Sequence, residues 1–79
     1  MRVEVRLPKS GDQIDANIVK WLKQVGEQVT AGEPIVEIET SKAMVDVESP
    51  VDGVVAQLLA AEGATVEVGD LLAIIDAAD

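Results

Sequence analysis

Few residue types in this chain could do chemistry. There is no His and no Cys, so the usual general base near neutral pH and any thiolate or disulfide chemistry are missing. No metal site is expected. Six basic residues stand against fifteen acidic ones, and one of the six is singled out by its position. Lys42 lies in EIETSKAMVDV, residues 37–47, where two runs of alternating apolar and polar residues meet at Ser41-Lys42. A lysine there has three readings. It could be an exposed charge that blunts a sheet edge. It could be a Schiff-base amine, which needs a pocket and a depressed pKa; a hairpin tip among carboxylates provides neither. It could also be an attachment point for an amide-linked group, which needs an amine reachable from outside on a turn that holds it off the body. A hairpin tip meets both demands, and the chemistry would then come from the attached cofactor.

The elements that must position Lys42 read as strands. Residues 35–38 and 43–48 carry Ile, Val and Met in short alternating runs, with Pro34 and Pro50 outside. Taking Ser41-Lys42 as a two-residue turn pairs Thr40 with Ala43, Glu39 with Met44, Ile38 with Val45, Glu37 with Asp46 and Val36 with Val47. Val36/Val47 and Ile38/Val45 then share one face, and a slip of one residue would scramble that match. Glu37 opposite Asp46 is tolerable only in water, so the other face is solvated, and Met44 points outward opposite Glu39. Ser-Lys is a poor hairpin turn beside Asn-Gly or Asp-Gly, which suggests that its residues serve another task. Gly26, Gly32, Gly63 and Gly69, with Gly11 and Gly53, read as turn positions where positive φ is cheap. Segment 14–25 is ambiguous: Ile14, Ile18, Leu22 and Val25 have helical spacing.

An internal repeat bears on that ambiguity. Shifted by 37 residues, GEQVTAGEPIVEIE (26–39) falls on GATVEVGDLLAIID (63–76), sharing G-x-x-V-x-x-G-[DE]. Upstream, Ile14-Asp15 falls on Val51-Asp52 and Trp21-Leu22 on Leu58-Leu59. Two copies are too few for a solenoid, so two similar halves packed on each other are expected. The second-half counterpart of 14–25 reads as a strand, which tips 14–25 the same way.

With 79 residues there is room for one small domain. Trp21 is the only aromatic residue, so the core is aliphatic and Trp21 is expected to pack in a sheet. A net charge of −9 argues against nucleic acid and anionic membranes as partners and favours a basic protein surface. No apolar run reaches membrane-spanning length and no signal segment opens the chain. A cytoplasm, or a mitochondrial matrix for a piece of a eukaryotic protein, is the expected compartment.

The stretch EIETSKAMVDVESPVDGVV resembles the modification hairpin of lipoyl domains, the swinging-arm carriers of 2-oxoacid dehydrogenase complexes. Glu39, Thr40, Lys42 and Ala43 match the family's E-[TS]-D-K-A signature, and Pro50, Gly53 and Val55 match its P-x-x-G-x-[IV] segment. NIVKWLKQVGEQVTAGEPI and VEVGDLLAIID resemble the stretches before the hairpin and at the close, so the likeness covers about 3–76. It implies an all-β fold, a flattened barrel or sandwich of two four-stranded antiparallel sheets with a pseudo-two-fold axis. The domain is expected over 1–76, with 77–79 a tail or the start of a linker to an acyltransferase subunit. The resemblance also implies a carrier that is not an enzyme by itself, with lipoate on Lys42 and recognition of the site by Glu39, Thr40, Ser41 and Ala43. Its implied partners are a lipoate-attaching enzyme, a thiamine-dependent 2-oxoacid decarboxylase, the acyltransferase core and dihydrolipoamide dehydrogenase. The loop LPKSGDQI, 7–14, is implied to lie beside the lysine turn and to help choose the decarboxylase. Two positions depart from the family: Ser41 stands where Asp is usual, and Ala16 where many members have Gly. Biotin carriers share the fold but centre on A-M-K-M, whereas Ser41 and Ala43 flank Lys42 here. Biotin is therefore the alternative cofactor, and an unmodified binding module the alternative role.

Overall fold

The computed structural model describes residues 1–9 and 11–77. Eight strands follow in order: β1 (Arg2–Arg6), β2 (Asp15–Trp21), β3 (Gln28–Val29), β4 (Pro34–Glu39), β5 (Met44–Glu48), β6 (Gly53–Leu58), β7 (Thr65–Glu67) and β8 (Leu71–Ala77). They form two four-stranded sheets, ordered β1-β8-β6-β3 and β5-β4-β2-β7, and every pairing is antiparallel. The two sheets are separate, so the domain is a sandwich and not a closed barrel. Positions 78 and 79 lie outside the described residues.

The repeat seen in the sequence is a repeat of structure. Moving each strand to its counterpart (β1 to β5, β2 to β6, β3 to β7, β4 to β8) turns one sheet order into the other. The correspondence extends to irregularities. The β2–β4 ladder skips Val19 and the β6–β8 ladder skips Ala56, 37 residues later. The β4–β5 ladder skips Ile35 and the β1–β8 ladder skips Leu72, again 37 apart. Such bulges put two neighbouring side chains on one face, and so Ile35-Val36 and Leu72-Ala73 are all buried in the aliphatic core. The turns repeat as well. Glu33 accepts from the Thr30 amide and Asp70 from the Glu67 amide, each beside a glycine with φ near +90° (Gly32 +87°, Gly69 +92°).

Segment 14–25 is strand and turn, not helix. Ile14, Leu22 and Val25 of the helical stripe are exposed, Ile14 to 73%. The buried residues are Ala16, Ile18 and Trp21. The bulge at Val19 lengthens the buried spacing from two to three between Ile18 and Trp21, and the helix-like stripe comes from apolar residues that the strand and turn leave exposed. Trp21 packs in the core, donates from Nε1 to the Ala60 carbonyl at 2.7 Å, and its amide meets the Glu62 carboxylate at 2.9 Å. Ala16 is buried opposite Val66, and among the described residues only glycines have positive φ, so alanine fits there without strain.

Gly53 corrects one expectation. It opens β6 rather than a left-handed turn, since its φ is not positive. Glycine is required because a Cβ would run into the Asp76 carbonyl oxygen of β8 and come within 2.9 Å of Ile75 Cγ2. Gly53→Ala should therefore destabilise the domain by about 2 kcal/mol, in the range of overpacking, as read from urea midpoints. Glu33 supplies a pH test. The Thr30 amide, and secondly Lys23 with Nζ 3.1 Å away, hold its carboxyl below the ordinary glutamate value. A group depressed in this way adds stability above its unfolded pKa and loses it as pH falls through the folded value. A carboxyl-carbon NMR titration should place the Glu33 midpoint below that of an unfolded glutamate, and Lys23→Gln should raise it part of the way.

Candidate functional site

The site is the β4–β5 hairpin. Its observed register pairs Val36 with Val47, Glu37 with Asp46, Ile38 with Val45 and Glu39 with Met44, as the apolar alternation requires. Beyond the ladder, the Thr40 amide donates to the Ala43 carbonyl at 2.9 Å, leaving Ser41 and Lys42 as the turn. Neither has positive φ, so this is not the mirror-image turn that two-residue hairpins favour. The Thr40 hydroxyl compensates. Its Oγ1 accepts from the Lys42 amide at 3.2 Å and the Ala43 amide at 3.0 Å, and donates to the Ala43 carbonyl at 3.0 Å. One side chain thus holds three backbone groups of an unfavourable turn.

Glu39, Ser41, Lys42 and Ala43 are exposed and Thr40 is half-buried, and the five come together at this tip. No ion pair among the described residues involves Lys42, and none of their His, Cys, Asp and Glu side chains cluster to hold a metal. The Lys42 amine is therefore an accessible nucleophile without a partner base, suited to acylation by an external enzyme rather than to catalysis. Met44 lies opposite Glu39 on the outer face, 50% exposed.

Two clefts flank the tip. One, of about 270 Å³, has Gly11, Asp12 and Gln13 on one wall and Thr40–Ala43 with Val45 on the other. The other lies between the tip and β2, lined by Asp15, Asn17, Glu39 and Thr65 among others. Gly11, Asp12 and Gln13 of the 7–14 loop thus sit beside the lysine turn. Three features escaped the sequence reading: the hydroxyl network of Thr40, the exposed Val45 and the loop-side cleft. A threonine directly before a two-residue turn was the available signal for the first.

Residues 3–75 match the biotin/lipoyl family, described as "Biotin-requiring enzyme". The chain belongs to this family. A Bartonella vinsonii dihydrolipoyllysine-residue succinyltransferase component of a 2-oxoglutarate dehydrogenase complex is 45% identical over 78 residues, 98% of this chain. The chain spans only 19% of that relative's length. The lipoyl domain of the Azotobacter vinelandii 2-oxoglutarate dehydrogenase complex shares 34% identity and a TM-score of 0.72, covering 96% of this biotin/lipoyl domain and 99% of that one. Kluyveromyces lactis urea carboxylase superposes with a TM-score of 0.84 at 28% identity, covering 96% of this chain and 6% of that one. The backbone is thus similar to that of a lipoyl domain and to a part of a carboxylase.

Thr40→Val keeps the side-chain volume but deletes the hydroxyl. It should lower stability by about 1 kcal/mol, the net worth of an exposed hydrogen-bond set, and raise amide exchange at Lys42 and Ala43. Thr40→Ser should restore both.

Proposed function

We propose that this domain is a lipoyl carrier whose Lys42 holds lipoate as an amide, within a 2-oxoacid dehydrogenase complex. The observation that carries the reading is a single accessible amine, free of ion pairs, fixed at the tip of a tight hairpin. Lipoate over biotin is supported by Ser41 and Ala43 beside the lysine, with methionine one place further on at Met44, and by the lipoyl naming of its bacterial relatives.

The residues present fit the group. In attachment, the Lys42 ammonium gives up a proton, its Nζ lone pair adds to the activated carboxyl of lipoate, the activating group leaves, and Nζ gives up a second proton. One positive charge is lost, so −9 becomes −10. A bound dithiolane supplies acyl-thioester and two-electron redox chemistry, neither of which the chain's own side chains offer. The chain's part is presentation. Thr40 fixes the turn, Ser41 and Ala43 leave the lysine uncrowded, and Glu39 puts a carboxylate beside it for the attaching enzyme to read. The further partners of this reading are the thiamine-dependent decarboxylase, the acyltransferase core and dihydrolipoamide dehydrogenase, met in a cytoplasm or mitochondrial matrix. Tethering to the core makes these encounters local and frequent.

Intact mass before and after incubation with lipoate, ATP and a lipoate ligase tests this directly. The parent should gain one lipoyl group and Lys42→Ala none. A gain with biotin and a biotin ligase instead would transfer the domain to carboxylase chemistry. No gain with either enzyme would leave the unmodified binding module.

A further inference from the structure

The loop-side cleft has a feature that presentation alone does not require. Inward-facing side chains of edge strand β5 lie opposite those of β4: Val47 against Val36 and Val45 against Ile38. Val47, Val36 and Ile38 are buried, but Val45 is 44% exposed. The inner apolar row therefore continues past the end of the core, toward Lys42, without full cover. Its two-fold counterpart, Val3 of β1, is more covered. The surroundings differ for a reason visible in the sequence. Leu7-Pro8 corresponds to Ser49-Pro50, but five residues, 9–13, separate Pro8 from Ile14, whereas Pro50 runs straight into Val51. Three of the inserted residues, Gly11, Asp12 and Gln13, form the wall facing Val45 and the lysine turn. Symmetry is thus broken at the lysine end, and the break encloses an apolar surface.

We propose that this cleft is a resting site for the acylated Lys42 arm, which folds back against Val45 between the wall of Gly11, Asp12 and Gln13 and the hairpin. The inference rests on the carrier reading. The free ammonium has no reason to approach a valine, but amide formation removes its charge and leaves a long apolar chain on the same residue. The cleft holds about 270 Å³, equal to about nine water volumes at ~30 Å³ each, enough for much of such a chain. Two clefts are within reach, and their chemistry chooses between them. The one toward β2 brings Asp15, Glu39 and the hydrogen-bonded Asn17–Thr65 pair, with the buried Ala16 its one apolar side chain, so an apolar arm would desolvate polar groups there without return. The loop-side cleft has Asp12 and Gln13 on its loop wall but offers Ala43 and Val45 on its hairpin wall. Burial of about two methylenes against Val45 favours the docked arm roughly tenfold, weak enough for a partner's active site to draw it out.

The test is NMR on the lipoylated chain, with intact mass confirming the load. Docking predicts nuclear Overhauser contacts between arm methylenes and the Val45 methyls. It also predicts shifts at the Gly11 and Gln13 amides on loading, with Thr65 and Asn17 unmoved. Val45→Asn should abolish the contacts while the mass gain persists, and Val45→Leu should keep them. A full mass gain with no contacts, or with contacts to Thr65 and Asn17 instead, overturns the resting site and leaves the carrier intact. No mass gain overturns the carrier reading and the resting site with it.

Discussion

Exchange of edge strands between the two halves is the constraint on which the rest of the structure depends. The central pair β4–β2 comes from the first half, yet it is flanked by β5 and β7 of the second. The central pair β8–β6 comes from the second half and is flanked by β1 and β3 of the first. Neither half can complete a sheet alone, so the four outer ladders form only when both halves are in place. For a domain with one aromatic residue this matters. Its aliphatic core is small, and small cores leave little net stability. Interlocking makes the outer ladder on each side of a central pair depend on the other half, and the paired bulges at Ile35 and Leu72 let the adjacent residues Ile35-Val36 and Leu72-Ala73 enter the core together.

The hairpin that carries Lys42 follows from this arrangement. It is the connection at which the chain leaves the first half's central strand β4 and enters the exchanged strand β5. Its tip stands at the free edge of a sheet, where both the loop side and the β2 side are open. Rigidity comes from Thr40 rather than from favourable turn residues, which frees Ser41 and Lys42 to be chosen for contact with other molecules. The charge pattern agrees with that division. On this hairpin Glu39 and Asp46 are exposed and Glu37 is half-buried, so carboxylates surround the amine, with Ala43, Met44 and Val45 as the exposed apolar groups of the hairpin.

Much of this was legible in the sequence, and the reasons are physical. The hairpin register could be read because period-two alternation admits only one alignment of Val36/Val47 and Ile38/Val45. The repeat exposed the pseudo-two-fold fold because glycine turns and apolar positions recur together. Segment 14–25 was ambiguous because Ile14, Leu22 and Val25, all exposed in the fold, stand at helical spacing from the buried Ile18, and periodicity alone does not tell which apolar residues are buried. Gly53 was misread because sequence shows that a glycine is present but not whether backbone φ or a neighbouring carbonyl demands it. The insertion at 9–13 was visible as an asymmetry, but the apolar surface beside it was not. Val45 alternates as a core residue should, and only the tertiary arrangement shows that the core ends before reaching it.

The symmetry also says what the other end of β4's counterpart looks like. Thr40 corresponds to Ala77, and Ala43, one place before β5, corresponds to Met1, one place before β1. The Thr40 amide donates to the Ala43 carbonyl, and the Ala77 amide donates to the Met1 carbonyl at 2.7 Å. The start of β1 and the end of β8 are thus a hairpin lacking only its covalent turn. A segment joined ahead of Met1 and one joined after β8 would therefore leave the domain side by side.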